Sequence, residues 1–356
     1  MNHKIFKIGM IGAGAISDIY ITNIQTKFKN LELVAISANH LENAEKKAEK
    51  YSLTACTTEE LLRREDIEIV VVLTPVATHY ALIKQALNAN KHVYTEKTIC
   101  ETTKQAEELL KLAEEKKLVL GCAPDTFLGS CFQTAKAALE EGKIGTVHSF
   151  AISINRNNDI LTAMFPFLRQ PGAGALRDYM VYYLTALTHL LGPIEKCSAM
   201  IQSPYLTRIN PVPNTSGYNE EISTPNESII VSALQLRNGC IGTIHENNET
   251  LIIDFAEFTL YGTKGILKLG NPNEFGNPVH LLEVSSKFEI TDTVLDTIGE
   301  YSENDRGVGL AEMAEAIEEK KKPLASAEMA YHVLEVIEAM ERSSISGKAE
   351  EICSVF

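Results

Sequence analysis

One stretch near the start, "KIFKIGMIGAGAIS", limits the folds open to this chain more than any other. Residues 5 to 11 are apolar and β-branched enough for a buried strand, and they run into Gly12-Ala13-Gly14 and then Ala15-Ile16-Ser17, where a helical pattern starts. A strand that turns directly into a helix opens a βαβ unit. Gly12 permits the tight turn, Gly14 lets backbone approach a pyrophosphate, and the helix N-terminus beyond receives the negative charge. Gly12, Gly14, Ala15 and Ile16 are therefore expected to hold a dinucleotide, and Ser17 is small enough for the helix to pack on the strand.

The rest of the first 122 residues keeps this rhythm. Strands are readable at "LELVAISA", "IEIVVVLT", "KHVYTE" and "KLVLGC", with amphipathic helices between them, two of which open on capping boxes, Thr57 with Glu60 and Thr102 with Gln105. Such alternation predicts an α/β fold with a Rossmann-type, doubly wound parallel sheet. After residue 123 the pattern turns to strands without intervening helices, including a hairpin at Asn238-Gly239. A second domain, 123–356, is expected to be α+β on a large, mostly antiparallel open sheet, its C-terminal helices able to pack back on domain 1–122. One helical segment, "GALRDYMVYYLTALTHLLGP", interrupts it, and Gln202 to Asn226 reads as a long loop.

At 356 residues with 45% hydrophobic and 22% charged side chains, the chain can bury two ordinary cores. Its formal net charge of -14 repels phosphate backbones and anionic lipid, so neither nucleic acid nor membrane is an expected partner. No apolar run is long enough for a membrane span, and seven scattered cysteines without C-x-x-C spacing read as thiols of a reducing, cytoplasmic setting. No metal site is expected.

Candidate site residues follow from the strand ends, because in an open parallel sheet ligands sit beyond the carboxyl ends of the strands. In "AISANH" the place of an acid for the adenosine ribose is taken by Ala38, with Ser37, Asn39 and His40 beside it as donors, which favours NADP over NAD. Thr74 and Pro75 end the next strand, and His79 either satisfies its own helix or meets the cofactor. Glu96 and Lys97 end the strand after that. In the isolated helix, Asp178 and Tyr182 are four apart and share one face. An ammonium stabilises a phenolate, so Lys97 and Tyr182 make a chemically sensible proton-transfer couple, with Asp178 fixing the lysine or a substrate hydroxyl.

These residues resemble the glucose–fructose oxidoreductase, inositol dehydrogenase and MocA-like (Gfo/Idh/MocA) family over nearly the whole chain: the glycine turn, "TPVATH", "EK" at a strand end, "GAGALRD" before the helix, and the antiparallel second domain. The resemblance implies an NAD(P)-dependent dehydrogenase or reductase that moves a hydride to or from a carbinol carbon of a sugar or polyol. It also implies that Lys97 is the lysine of an E-K-P motif, that Asp178 opens a D-x-x-x-H element, and that Tyr182 takes the place of its histidine as proton donor or acceptor. Thr98 departs from the motif's proline. "GCAPDTFLG" lacks the asparagine and arginine pair common there, which leaves Asp125 and Phe127 near the substrate, and Arg169 and Arg177 flank the loop into the helix as candidates for a carboxylate or phosphate. The same resemblance admits cofactor-assisted glycoside cleavage, Thr98 motivates a non-catalytic nucleotide-binding regulator as a further alternative, and the uncovered face of the second-domain sheet, together with the resemblance, implies a homodimer or homotetramer.

Overall fold

Ile69–Val72 reads Ile-Val-Val-Val with every side chain buried, as a strand covered on both faces requires. It is β4 of a six-stranded sheet in a computed structural model that describes residues 4–170 and 172–356. The others are β1 (Phe6–Ile11), β2 (Leu31–Ser37), β3 (Thr54–Ala55), β5 (His92–Thr95) and β6 (Leu120–Cys122). Their order is β3-β2-β1-β4-β5-β6 and every pairing is parallel. Helices α1 (Ser17–Thr26), α2 (Leu41–Tyr51), α3 (Thr58–Arg63), α4 (His79–Asn88) and α5 (Thr103–Lys116) make the crossovers. The capping box at Thr57 forms in full. At α5 only half of it does: Thr102 accepts from the Gln105 amide, while the Gln105 side chain turns to the Glu101 amide instead.

The chain does not divide at a single cut. One compact unit runs to Leu128 and also takes in Asn304–Leu334, and the other comprises Gly129–Glu303 and Glu335–Phe356. The returning segment is built into the first unit by buried polar contacts. The Asp125 carboxylate accepts from the amides of Gly307 and Gly309, which caps the helix Val308–Glu319, and the Asn23 amide donates to the carbonyls of Asn304 and Arg306. Lys27 pairs with Asp305, and Gly121 bridges to Ser326 beyond β6. The first unit is thus discontinuous, its first segment running to Leu128 rather than ending at residue 122.

The second unit contains α6 (Ser130–Glu140), α7 (Asn158–Met164) and α8 (Val181–Leu191) with a nine-stranded sheet. Its strands are β7 (Val147–Asn157), β8 (Ile194–Gln202), β11 (Ile229–Leu236), β12 (Ile241–Asn247), β13 (Glu249–Gly262), β14 (Ile266–Leu269), β15 (His280–Val284), β16 (Ile290–Val294) and β17 (Glu350–Glu351). The order β16-β15-β14-β13-β7-β12-β11-β8-β17 is antiparallel throughout except where β12 runs parallel to β7. The hairpin turns at Asn238-Gly239, with Gly239 at φ 86°, where a side chain would be strained. Burial alternates strictly along β11, so one face is core. There α6 and α8 lay Phe132 and Tyr183 against Phe258 of β13. The other face leaves Met200 and Val231, direct neighbours across β8 and β11, exposed.

The segment read as a loop, Gln202 to Asn226, contains a short ribbon, β9 (Thr207–Ile209) with β10 (Glu221–Ser223). Arg208 within it is buried and paired with Asp159 and Glu249, which fixes the ribbon to the sheet. All seven cysteines are free thiols, Cys353 exposed and Cys56 half-buried. No helix among the described residues is long and apolar enough to cross a membrane.

Asp125 tests how firmly the returning segment is held. Burial raises its carboxyl to about 6 while the two glycine amides pull it down. Asp125→Ala is expected to cost about 1–3 kcal/mol, because it strands two helix N-terminal amides and opens a gap; equilibrium urea unfolding measures it, and an unchanged midpoint would refute the clasp.

Candidate functional site

The nucleotide end is built at the edge where β1, β4 and β5 terminate side by side. Gly12 is buried at φ 117° and a Cβ there would run into the Leu73 carbonyl, so glycine is required on both conformational and steric grounds. Gly14 differs: it is exposed, and a Cβ there would meet nothing within 4 Å. That open backbone edge ahead of α1 fits a pyrophosphate. Ser17 is buried and its hydroxyl donates to the Gly14 carbonyl at 2.6 Å, which locks turn to helix. Asp18, an acid in the first turn that would repel phosphate, is engaged toward α2 by Lys47 at 2.5 Å and Tyr51 at 2.6 Å. Those partners, Lys47 foremost, hold its carboxyl far below the usual range.

At the end of β2, Ser37 is buried against the Thr58 hydroxyl, Ala38 is half-exposed, and Asn39 and His40 are exposed. Thr74 and Pro75 open outward at the end of β4. His79 does not. Its ring is fully buried, with Nδ1 2.8 Å from the Thr98 carbonyl and Nε2 2.7 Å from the Thr74 carbonyl. Burial lowers its pKa and the two carbonyls oppose that. The ring is thus a brace between the turns after β4 and β5, and its nitrogens are not presented to a cofactor. Glu96 is positioned by the Tyr20 hydroxyl at 2.7 Å and by the Lys97 amide at 3.1 Å. Lys97 is half-buried, and the Lys97–Thr98 peptide is cis without a proline.

In the second unit the expected helix is not regular from its start. Leu176–Met180 is wound as a π-helix before α8, a wider turn of the kind that recurs at functional sites, and Asp178 lies within it. Glu227 holds that turn: its carboxylate accepts from the Leu176 amide at 3.1 Å and packs where a Cβ of Gly174 would otherwise sit. Asp178 stands 3.8 Å from Arg156, whose guanidinium lies 3.6 Å above the Tyr179 ring. Tyr182 is buried at the start of α8. Its neighbours Tyr179 and Tyr183 are core residues with anchored hydroxyls, Tyr179 on Asp254 at 2.8 Å and Tyr183 on Asn271 at 3.2 Å. Burial pushes both phenols upward.

Beside Asp178 opens a shallow cleft whose walls include Arg156, Asn158, Thr224, Asn226, Glu227 and Asn248. Behind it is Glu246 on β12, wholly buried, with neither carboxyl oxygen hydrogen-bonded among the described residues. Burial raises it to about 8, against the pull of Arg156 and of the Asn248 side chain beside it and with the push of Asp178 and Glu227.

Several residues singled out in the sequence lie elsewhere. Asp125 caps a helix, as above, and Phe127 is core, at 1% exposure. The Arg169 guanidinium donates to the Thr162 carbonyl, and Arg177 pairs with Glu341. Neither arginine presents an uncommitted head to an anion. Glu227, Glu246 and Asn248 went unnoticed in the sequence. A carboxylate at the buried parity of an alternating strand was the available signal for Glu246.

Both halves of the chain match family models. The NAD-binding Rossmann fold of the Gfo/Idh/MocA oxidoreductase family matches residues 6–123, and the family's C-terminal alpha/beta domain matches residues 136–352. The chain belongs to this family. An uncharacterized oxidoreductase of Schizosaccharomyces pombe is 33% identical over 145 residues, which is 41% of this chain and 39% of that protein. The scyllo-inositol 2-dehydrogenase (NADP(+)) IolW of Bacillus subtilis is 23% identical over 348 residues, 95% of this chain and 93% of its own. Levoglucosan dehydrogenase in complex with NADH shares the fold, with a TM-score of 0.85 at 16% identity over 99% of this chain and 100% of that one.

The raised Glu246 carboxyl predicts a pH signature of stability. A proton bound more tightly in the folded than in the unfolded chain stabilises fully below the unfolded value, and that contribution is lost as pH rises through about 8. The melting temperature of the native chain, measured against that of Glu246→Gln, should fall progressively from about pH 5 to pH 8 and then level off. A difference that is flat across that range would mean Glu246 is ionised in the fold.

Proposed function

We propose that the chain is an NAD(P)-dependent dehydrogenase or reductase acting on the carbinol carbon of a sugar or polyol. The observation that carries this reading is the Gly12–Gly14 turn: a buried glycine that cannot be replaced, followed by an exposed one with open space over its backbone. Family membership over both units supports it. Gly12, Gly14, Ala15 and Ile16 would hold the pyrophosphate, Thr74, Pro75 and Glu96 would border the nicotinamide half, and Ser37 to His40 the adenosine half. When bound, the dinucleotide supplies or accepts the hydride.

The protein's own part is proton transfer and orientation. Tyr182 is proposed to give a proton to the substrate oxygen in reduction and, as the phenolate, to take one in oxidation, with Lys97 of the nucleotide-binding unit proposed to assist as a cation. Asp178, backed by Arg156, orients a substrate hydroxyl. For the nucleotide we propose NADP over NAD, because Ala38 leaves no carboxylate to oppose a 2′-phosphate while Asn39 and His40 stand exposed as donors. The second copy needed for a homo-oligomer would cover the open sheet face around Met200 and Val231.

Tyr182→Phe and Lys97→Ala should each lower kcat by about 10²–10⁴ with a polyol substrate and leave nucleotide affinity intact; steady-state rates at saturating nucleotide measure this, and near-native kcat in both would refute the assigned roles. Competition calorimetry should find NADP bound more tightly than NAD, and the opposite order would overturn the preference. Light scattering should show a dimer or larger that Val231→Asp with Met200→Asp reduces to monomer. A native chain that is monomeric at micromolar concentration removes the oligomer proposal.

A further inference from the structure

Some buried polar atoms without partners in the second unit stand apart, among them Ser130 Oγ and Arg208 Nε, but five gather: Arg156 Nε and Asn248 Oδ1 belong to residues that line the cleft beside Asp178, with Ser228 Oγ and both Glu246 oxygens behind them. Strand geometry explains the grouping. Arg156 on β7 and Glu246 on β12 fall at the buried parity of parallel neighbours, and the Asn248 amide is bonded to the Ser228 carbonyl at 2.8 Å. Asn248 is only 5% exposed and lines the cleft. Buried polar groups are ordinarily satisfied, and an unmet cluster that opens onto a cleft is what a bound ligand completes.

The charges around it restrict what that ligand is. Asp178 and Glu227 line the cleft, and the one guanidinium in its wall, Arg156, is shared with Asp178 and the Tyr179 ring. Arg169 and Arg177 are spent on Thr162 and Glu341. A carboxylate or phosphate would meet two carboxylates against one engaged cation in a partly desolvated cleft, where the repulsion is poorly screened. Hydroxyl groups meet no such opposition. They donate to Asn248 Oδ1 and accept from the Arg156 guanidinium, the two cleft-lining groups with unmet hydrogen-bonding capacity.

We infer that the cleft walled by Arg156, Asp178, Glu227 and Asn248, with Glu246 and Ser228 behind it, is a subsite for a hydroxyl-rich ligand group that bears no negative charge. This deepens the sugar or polyol reading above and rests on it for the identity of the ligand as substrate. It also selects within that reading: neutral polyols enter, and sugar acids and sugar phosphates do not.

Calorimetry on the full chain with saturating oxidised nucleotide tests it, using sorbitol and myo-inositol as neutral probes and gluconate and glucose 6-phosphate as anionic ones. At least one neutral probe should bind about ten-fold more tightly than either anion, and Asn248→Ala and Ser228→Ala should each weaken it several-fold with nucleotide affinity unchanged. Nucleotide affinity reports folding, and Glu246→Gln, which keeps shape and a donor, serves where an alanine variant fails that check. Equal or tighter binding of an anion overturns the inference, as do polyol affinities untouched by these variants, or no binding of any probe by a chain that binds nucleotide. Polyol binding that depends on Asn248 without any turnover would uphold the subsite and sink the oxidoreductase reading; turnover indifferent to Asn248 would do the reverse.

Discussion

The burial of both faces of the parallel sheet is the constraint from which the first unit follows. Strands such as Ile69–Val72, with no exposed side, must be joined by helices that cross over a face, and so every strand ends at the same edge. The order β1-β4-β5 then sets three turns next to one another: Gly12–Gly14, Thr74–Pro75 and Glu96–Lys97. Two side chains keep them in place. His79 joins the second turn to the third through their carbonyls, and Tyr20 reaches from α1 to Glu96. The close fit of Gly12 against Leu73 belongs to the same arrangement, since β1 and β4 are hydrogen-bonded neighbours.

The second unit solves a different problem. Its sheet has one covered face, and into that face are set groups that an apolar core would exclude: Arg156, Glu246 and Asn248. Leaving them unsatisfied costs stability, so their retention beside a π-turn anchored by Glu227 points to recognition rather than to folding. The anchored hydroxyls of Tyr179 and Tyr183 show the contrast. Buried phenols whose business is structural are met by Asp254 and Asn271, whereas Arg156 Nε and Asn248 Oδ1 at the cleft have no hydrogen-bond partner among the described residues.

What the sequence revealed was whatever depends on local pattern. The glycine turn, the strand rhythm, the hairpin at Asn238-Gly239 and the capping box at Thr57 are each set by residues a few positions apart, and each is present. Residues whose role depends on partners far along the chain were misplaced. Asp125 sits beside a strand end, as a ligand-binding acid would, but its partners are amides at Gly307 and Gly309. Arg177 leads into the helix of interest and is claimed by Glu341. His79 has the right strand-end position and the wrong direction, which no spacing rule encodes. The subsite was invisible for a related reason. Arg156, Glu227, Glu246 and Asn248 come from separate strands and loops, and only the register of β7 with β12 brings them into one neighbourhood.

The discontinuity of the first unit bears on how the chain is made. Asp125 is completed by backbone some one hundred and eighty positions downstream, and at still greater separation Asn23 is completed by backbone carbonyls and Lys27 by the Asp305 carboxylate. A nascent chain therefore emerges from the ribosome with its nucleotide-binding half lacking a clasp until the other half has been synthesised. During that interval a buried carboxyl has no helix to cap and β6 lacks its bridge to Ser326, so the synthesis of residues 304–334 sets when the first-made part can close as a unit.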